Sequence, residues 1–350
     1  VCNQHGLEIQ CKPTDFEPAR DRLWLNDGKG RFIRHDLPEI KAARGLGATA
    51  FSIGDSRQQY LFVANDTDPN FLLKFAWHEN GVSVDNLGLQ SGIALNREGK
   101  AEGSMGIAIA DLNGDGFQDF FVTNFLAETN TLYLSRGAEL FQDQTQLFGL
   151  EPLSYDLLGF GTQFFDADLD GIPEIFVANG HVDDLRQLGK PYKMSQQLLT
   201  LDNSKLVMVD NPGDYFNESR LGRAVAKTDW NRDQKIDLWV GHLREPYALL
   251  SNMSETKNPA VTLRLVGRKS NRDAIGTTVT CVQGGKSVMQ QVTSGDGYLC
   301  SNTRSLIFPL SSEGKANFLI RWPSGSEQRV EYDGSLENQT LILVEPSSLR

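Results

Sequence analysis

The stretch Asp111-Leu-Asn-Gly-Asp-Gly-Phe-Gln-Asp119, followed at once by Phe120-Phe-Val-Thr-Asn124, decides the fold. Oxygen-bearing side chains occupy its first, third, fifth and ninth positions, and glycine occupies the sixth. Ca²⁺ takes about six to eight hard oxygen ligands, and a tight loop can turn alternate side chains onto one ion. The apolar run that follows is typical of a buried strand. The stretch therefore predicts a Ca²⁺ loop that leads into a β-strand.

The pattern occurs three times, at residues 111–119 (loop 1), 166–174 (loop 2) and 229–237 (loop 3). The predicted ligands are Asp111, Asn113, Asp115, Phe117, Asp119, Asp166, Asp168, Asp170, Ile172, Glu174, Asp229, Asn231, Asp233, Lys235 and Asp237. The seventh residue of each set is expected to offer its backbone carbonyl. An EF-hand is excluded because its twelfth position needs Glu, where this chain has valine in all three loops. Solvated acidic turns are the alternative.

Loop 3 is the weakest of the three, because Gln234 replaces the glycine and Lys235 adds positive charge. We therefore expect two to three Ca²⁺ sites. The unit before loop 1 carries only Ser52-Ile-Gly-Asp-Ser56 at the equivalent place and is predicted to bind no metal.

The strands after these loops are part of a longer repeat. Val63, Val122, Val177 and Val240 align at separations of 59, 55 and 63 residues, a period typical of propeller blades or solenoid turns. Each unit holds about four short strands, which suits a β-propeller blade. We predict an all-β chain in which residues 1–255 form half a blade plus four units. Either the propeller continues in a missing N-terminal part, or residues 1–40 close a short ring.

Residues 258–350 show alternating apolar positions and Gly-containing turns, which predict a small β-sandwich of about seven strands. Trp322 is expected to pack in its core, with ligand stacking as the alternative. Arg268, Lys269 and Arg272 form either a solvated loop or an anion site.

The net charge of −11 disfavours nucleic acid and anionic membranes as partners and favours cations. No apolar run is long enough to insert into a membrane. The chain starts at Val1, so we expect that its true N-terminus and a signal peptide are missing. Disulfides Cys2–Cys11 and Cys281–Cys300 are the expected pairings, and buried free thiols in a reducing compartment are the alternative.

Catalytic motifs are lacking: the sequence has no nucleophile elbow, H-E-x-x-H, P-loop or Rossmann fingerprint. His181, beside Asp183 and Asp184, is a weak acid/base candidate whose plainer interpretation is a polar loop residue. A carboxylate pair for glycoside hydrolysis stays open, because acids are abundant.

The repeats resemble the FG-GAP/VCBS repeats of integrin-α-like propellers. Asn271-Arg-Asp-Ala-Ile-Gly276, Ser294-Gly-Asp-Gly-Tyr298 and Arg321-Trp-Pro-Ser-Gly325 resemble the ASPIC/UnbV domain. Together the chain looks like bacterial relatives of cartilage acidic protein. The resemblance implies a seven-bladed propeller with Ca²⁺ in its blade loops, in an exported protein (secreted, periplasmic or on the cell surface). It also implies a role in adhesion or interaction with a protein or glycan at the cell surface or matrix. An enzyme that uses the propeller face, either carbohydrate-active or in a natural-product pathway, is the alternative.

Overall fold

A computed structural model describes residues 2–347 except 5, 55–56, 80, 138, 257, 312–314 and 335–339. Strands dominate it, as predicted for an all-β chain. The N-terminal part consists of two hairpins, β1 Cys2–Gln4 with β2 Leu7–Ile9 and β3 Leu23–Asn26 with β4 Phe32–His35, and a 3₁₀ turn at Pro13–Asp15. The pair β3 and β4 forms a two-stranded sheet of its own.

Three antiparallel sheets follow, each with four strands in sequence order, and the next sheet has three. The first contains β5 Gly45–Ser52, β6 Gln59–Asn65, β7 Phe71–His78 and β8 Gly81–Asn86. The second contains β9 Ile107–Ala110, β10 Asp119–Val122, β11 Thr131–Ser135 and β12 Phe141–Asp143. The third contains β13 Gly159–Phe165, β14 Glu174–Asn179, β15 Gln197–Asp202 and β16 Lys205–Met208. The fourth contains β17 Gly222–Thr228, β18 Asp237–His242 and β19 Ala248–Leu250. Short helices α1 Gly88–Ser91 and α2 Glu151–Ser154, and 3₁₀ turns at Arg186–Leu188 and Asp214–Asn217, lie in the connections.

Neighbouring sheets pack face to face, and β10 shows why its sequence is apolar without alternation. Phe120 and Val122 face the sheet of β5–β8, whereas Phe121 between them faces the sheet of β13–β16. All three side chains are fully buried. Phe120 also lies 5.0 Å and 5.4 Å, between ring centroids, from Phe51 and Phe141. A strand buried on both faces must be apolar throughout, since neither face meets water.

The first strands of neighbouring sheets approach too closely for side chains at some positions. A Cβ atom at Gly106 would lie 2.0 Å from the Phe160 carbonyl oxygen, and one at Gly161 would lie 2.4 Å from the Arg223 carbonyl oxygen. The hydroxyl of Thr123 closes the first contact, because it donates to the Phe160 carbonyl and accepts from the Gly106 N–H. These glycines are required for space, since their φ angles are not in the left-handed region.

The C-terminal region is a sandwich of two sheets, in agreement with the prediction. One sheet contains β20 Ala260–Val266, β23 Leu306–Pro309 and β26 Thr340–Val344, with β20 and β26 parallel. The other contains β21 Thr278–Gln283, β22 Lys286–Gln291, β24 Ala316–Arg321 and β25 Glu327–Tyr332. Trp322 is fully buried between them, so it packs in the core and is not exposed for a ligand to stack on it.

The expected Cys281–Cys300 disulfide is wrong, because both thiols are free. Cys281 lies in β21 and points into the sandwich core. Cys300 belongs to a different environment, where its Sγ lies 3.0 Å from the Val225 carbonyl oxygen of β17. Cys2 and Cys11, in contrast, are joined in a disulfide.

Residues 293–304, here called the hub loop, run along the first strands of all four blade sheets. Ser294 bridges to Ala50 and Gly297 bridges to Ile107. Asn302 accepts a hydrogen bond from the Lys227 N–H and donates to the Gln163 side chain. The sandwich therefore contributes a segment to the centre of the blade assembly.

The chemistry of the hub loop explains its Ser-Gly-Asp-Gly sequence. Gly295 and Gly297 have φ angles of 92° and 104°, and a Cβ atom at Gly295 would lie 2.1 Å from the Ala48 carbonyl oxygen. Asp296 between them is 2% exposed, and its Oδ2 lies 3.4 Å from the Lys227 Nζ. Glycine is required here both for backbone conformation and for close approach.

Glu345, which is buried, holds the basic loop at Arg268 and Lys269 in place through hydrogen bonds. Its carboxylate accepts backbone N–H bonds from Arg268, Lys269 and Ser270, and hydroxyl bonds from Ser270 and Ser324. Despite burial, which opposes ionisation, these bonds hold the pKa of Glu345 at about 2. The backbone of the loop at Arg268 is thus an anion site whose anion is an internal carboxylate.

Replacement of Gly106 by Ala should destabilise the blades by about 2 kcal/mol or more, because the strands must separate to admit a methyl group. Gly241→Ala is the matched control, since its Cβ would meet atoms only at an ordinary 3.5 Å. Urea unfolding of the two variants measures the difference. Equal stabilities would contradict the packing argument.

Glu345→Gln should cost up to about 3 kcal/mol near neutral pH, because the ionised carboxylate is strongly favoured in the folded state. A lowered folded-state pKa gives stability that is present above the ordinary value of 4.5 and is lost as pH falls through about 2. The gap between wild type and variant should therefore narrow over that acidic range. Chemical unfolding at several pH values measures it, with the exposed Glu331→Gln in the same domain as control. A pH-independent gap would refute the electrostatic origin.

Candidate metal centres

Loops 1, 2 and 3 share one hydrogen-bond scaffold. In each, the carboxylate of the first residue accepts the backbone N–H groups of the fifth and sixth residues, at 2.9–3.1 Å. The oxygen of the third side chain accepts the N–H of the fifth residue, and the fifth carboxylate accepts the N–H of the seventh. The three segments thus fold identically although their sequences differ.

Two positions in each loop have left-handed backbone, which turns the acidic side chains to one side. The fourth positions are Gly114, Leu169 and Arg232, and the sixth positions are Gly116, Gly171 and Gln234. Gln234 therefore takes the conformation that the missing glycine would take, with φ of 67°. The strain of a left-handed non-glycine residue is about 1 kcal/mol, so the departure in loop 3 weakens the loop without changing its fold.

The ninth residue of each loop braces the loop from beneath. Asp119 accepts the N–H groups of Leu112 and Ser135, and Asp237 accepts those of Trp230 and Asn252. Glu174 accepts the Ala167 N–H and the Thr200 hydroxyl. A carboxylate oxygen retains a second lone pair after one hydrogen bond, so these residues can brace the loop and still face a cation.

The acids of the loops are crowded and partly buried, which makes their ionisation unfavourable. Burial raises the pKa of Asp166 to about 7, and repulsion from Asp170 and Asp168 adds to the rise. Burial likewise raises the pKa of Glu174 and of Asp119 to about 7, and that of Asp111 to about 6. A divalent cation bound among these groups would offset both the cost of burying the ionised carboxylates and the repulsion between them.

Loop 2 is the best-formed cage. Ligand oxygens of Asp166, Asp168 and Glu174 all lie within 4.8 Å of one another. Four acids and no basic residue occupy loop 2. This all-oxygen, strongly anionic donor set fits Ca²⁺.

In loops 1 and 3, the carboxylate of the fifth residue already has a side-chain partner. The amide of Asn113 donates to Asp115, and that of Asn231 donates to Asp233, at 3.0 Å in both cases. In loop 3 the Lys235 Nζ also lies 3.7 Å from the Asp233 carboxylate. A cation must displace these contacts, and in loop 3 it must compete with a resident ammonium group.

His181 has the geometry of a loop residue. Its Nδ1 accepts the backbone N–H of Asp183, and its ring lies edge-on to Phe125, with 6.0 Å between ring centroids. It is 3% exposed, and burial lowers its pKa. The Asp184 carboxylate pairs with Arg186 instead of the histidine. The residue thus lies buried in the connection between β14 and β15, where burial disfavours its charged form.

The metal-free unit predicted at Ser52–Ser56 lies partly outside the described residues, since positions 55 and 56 are not among them.

Two features were missed from the sequence: the hub loop, and the burial of Leu169 within loop 2 against Ala260 and Ile307 of the sandwich. The signal for the second was present, because Leu169 is a large apolar residue at a position where loop 1 has glycine.

Two segments of the chain match models of known families. Residues 111–177 match the FG-GAP-like repeat, a range that includes the whole of loops 1 and 2. Residues 267–349 match the family described as ASPIC and UnbV, a range that includes the hub loop and Glu345.

Similar curated proteins include cartilage acidic protein 1 of Xenopus tropicalis, 25% identical over 303 residues, and of Homo sapiens, 22% identical over 325 residues. The alignments cover 84% and 91% of this chain but 44% and 46% of those relatives. The chain thus spans about half the length of the curated relatives it matches.

Similar solved structures include a triple mutant of AofleA from Arthrobotrys oligospora, with TM-score 0.34, 9% identity and coverage of 83% of this chain and 91% of that one. Another is the exotype rhamnogalacturonan lyase YesX, with TM-score 0.31, 14% identity and coverage of 85% and 48%. In the described residues no helix is long and apolar enough to cross a membrane.

Proposed function

Since the chain combines FG-GAP-like repeats with a C-terminal ASPIC and UnbV domain, we propose that it is a Ca²⁺-binding interaction protein that works outside the cytoplasm. The observation that carries the proposal is the threefold recurrence of one loop scaffold with oxygen donors at the same positions. A solvated acidic turn has no reason to repeat the same backbone hydrogen bonds and to bury its acids.

The extracytoplasmic location rests on the Cys2–Cys11 disulfide, because such bonds persist mainly in oxidising compartments. The partner is proposed to be a protein or a glycan. The first strands of the blade sheets are already covered by the hub loop, so the partner should bind to the outer loops rather than along these strands. Binding of a candidate partner, measured with and without Ca²⁺ by surface plasmon resonance, should be saturable and should proceed without turnover.

Removal of Ca²⁺ with EGTA should lower the melting temperature, because an ion that binds only the folded state stabilises it. The gain is about 2.7 kcal/mol when free Ca²⁺ is about one hundred times the dissociation constant. Calorimetry with added Ca²⁺ should restore the transition, and equimolar Mg²⁺ should restore less, since Mg²⁺ demands a smaller octahedral site. An unchanged transition after chelation would falsify the calcium proposal.

Ca²⁺ should fill loop 2 first, loop 1 next and loop 3 last, because affinity follows the charge and freedom of the ligands. Lys235→Ile should tighten the weakest site about fivefold, since it removes an ammonium group from the Asp233 carboxylate and reproduces the residue type of loop 2. Isothermal titration measures the stepwise affinities. Lys29→Ile, at an exposed turn, is the control and should leave all of them unchanged. An identical third affinity in the Lys235 variant would count against loop 3 as a metal site.

A further inference from the structure

The three loops all face the C-terminal sandwich, and none of them is turned only to solvent. Asp111 of loop 1 and Asp166 of loop 2 line a cavity of about 130 Å³ that is also lined by Val288 and Met289 of β22. Asp229 of loop 3 lines a second cavity together with residues of β20, β23 and β26. The metal loops and the sandwich therefore form a common boundary, here called the seam.

Loop 2 makes the closest contact across the seam. Leu169 lies between the ligands Asp168 and Asp170, and its side chain is 3% exposed because it packs against Ala260 and Ile307. A Cβ atom at Gly171 would lie 3.5 Å from the Val288 side chain, so backbone and sandwich touch here as well. Leu169 therefore points into the sandwich, whereas its neighbours Asp168 and Asp170 are exposed.

Polar contacts tie the same loops to the connection between β19 and β20. The Asn258 amide donates to the Leu169 carbonyl at 2.8 Å, and the Asn252 amide donates to the Ala167 carbonyl at 2.9 Å. The Lys235 Nζ of loop 3 donates to the Ser254 carbonyl at 3.2 Å. Any change in loop shape must move the chain segment that leads into the sandwich.

We infer that Ca²⁺ in these loops controls how firmly the C-terminal sandwich, with its hub loop, docks on the blades. The inference rests on the proposed Ca²⁺ binding. Without the ion, repulsion among the four acids around Leu169 opposes the loop conformation that places this side chain in its apolar site. With it, the ligands fix the loop and hold Leu169 in its apolar site. By linkage, docking of the sandwich must in turn tighten Ca²⁺ binding.

Hydrogen exchange on the full chain, paired with calorimetric Ca²⁺ titration of the same samples, tests this. Addition of Ca²⁺ should slow exchange in β22 and in the hub loop, both distant in sequence from the ligands, as well as in the loops. If Ca²⁺ binds and slows exchange only within residues 111–119, 166–174 and 229–237, the docking inference is overturned and the calcium proposal stands. If no Ca²⁺ binds, both fail.

Leu169→Ala separates the two roles, because it removes the seam contact and leaves every ligand in place. It should weaken Ca²⁺ affinity at loop 2 by about fivefold or more and reduce the Ca²⁺-dependent protection of the hub loop. Leu206→Ala is the matched control, since this buried leucine packs within the blades. It should lower stability without changing either readout. Asn258→Ala gives a milder second variant with the same expected direction. Unchanged Ca²⁺ affinity and protection in both seam variants would overturn the inference.

Discussion

This architecture depends on one constraint: acidic side chains of like charge lie close together at the boundary between the blades and the sandwich. Loop 2 places Asp166, Asp168, Asp170 and Glu174 in a few turns of chain that are partly buried between blades and sandwich. Burial, together with repulsion from the neighbouring acids, raises the pKa of Asp166 and of Glu174 to about 7. A protein gains nothing in stability from such a cluster unless a cation completes it. Under the calcium proposal, the loop scaffold supplies the oxygen ligands and the bound ion offsets the repulsion between these acids.

The hub loop makes the C-terminal domain a structural part of the blade assembly. A separate domain on a linker would bury few polar groups of its partner, yet here Asp296 is almost fully buried and pairs with Lys227 of β17. Gly295 and Gly297 allow the segment to approach the first strands of the blades. The sandwich is thus integrated with the blades at two places, the hub and the seam.

Local patterns in the sequence carry much of this structure, and long-range contacts carry the rest. The ligand spacing, the strand after each loop and the two-stranded start of the chain are local, so the sequence predicts them. The backbone N–H groups that Glu345 binds lie 75 to 77 residues away, and no periodicity marks them. The Cys281–Cys300 pairing failed for the same reason, because closeness in sequence hides that one thiol is in the sandwich core and the other at the hub. Even Gln234 shows the limit, since its left-handed backbone is set by the loop and not by its own preference.

Loop 2 also explains why an acidic loop of this repeat can tolerate a large apolar residue at its fourth position. In an isolated loop the left-handed conformation at that position favours glycine, and loop 1 has Gly114 there. Leu169 accepts the backbone cost of about 1 kcal/mol. Burial of a leucine side chain returns about 1.5–3 kcal/mol, but only when the sandwich is docked to receive it. The residue thus makes the stability of loop 2 conditional on a domain that begins about 90 residues further along the chain.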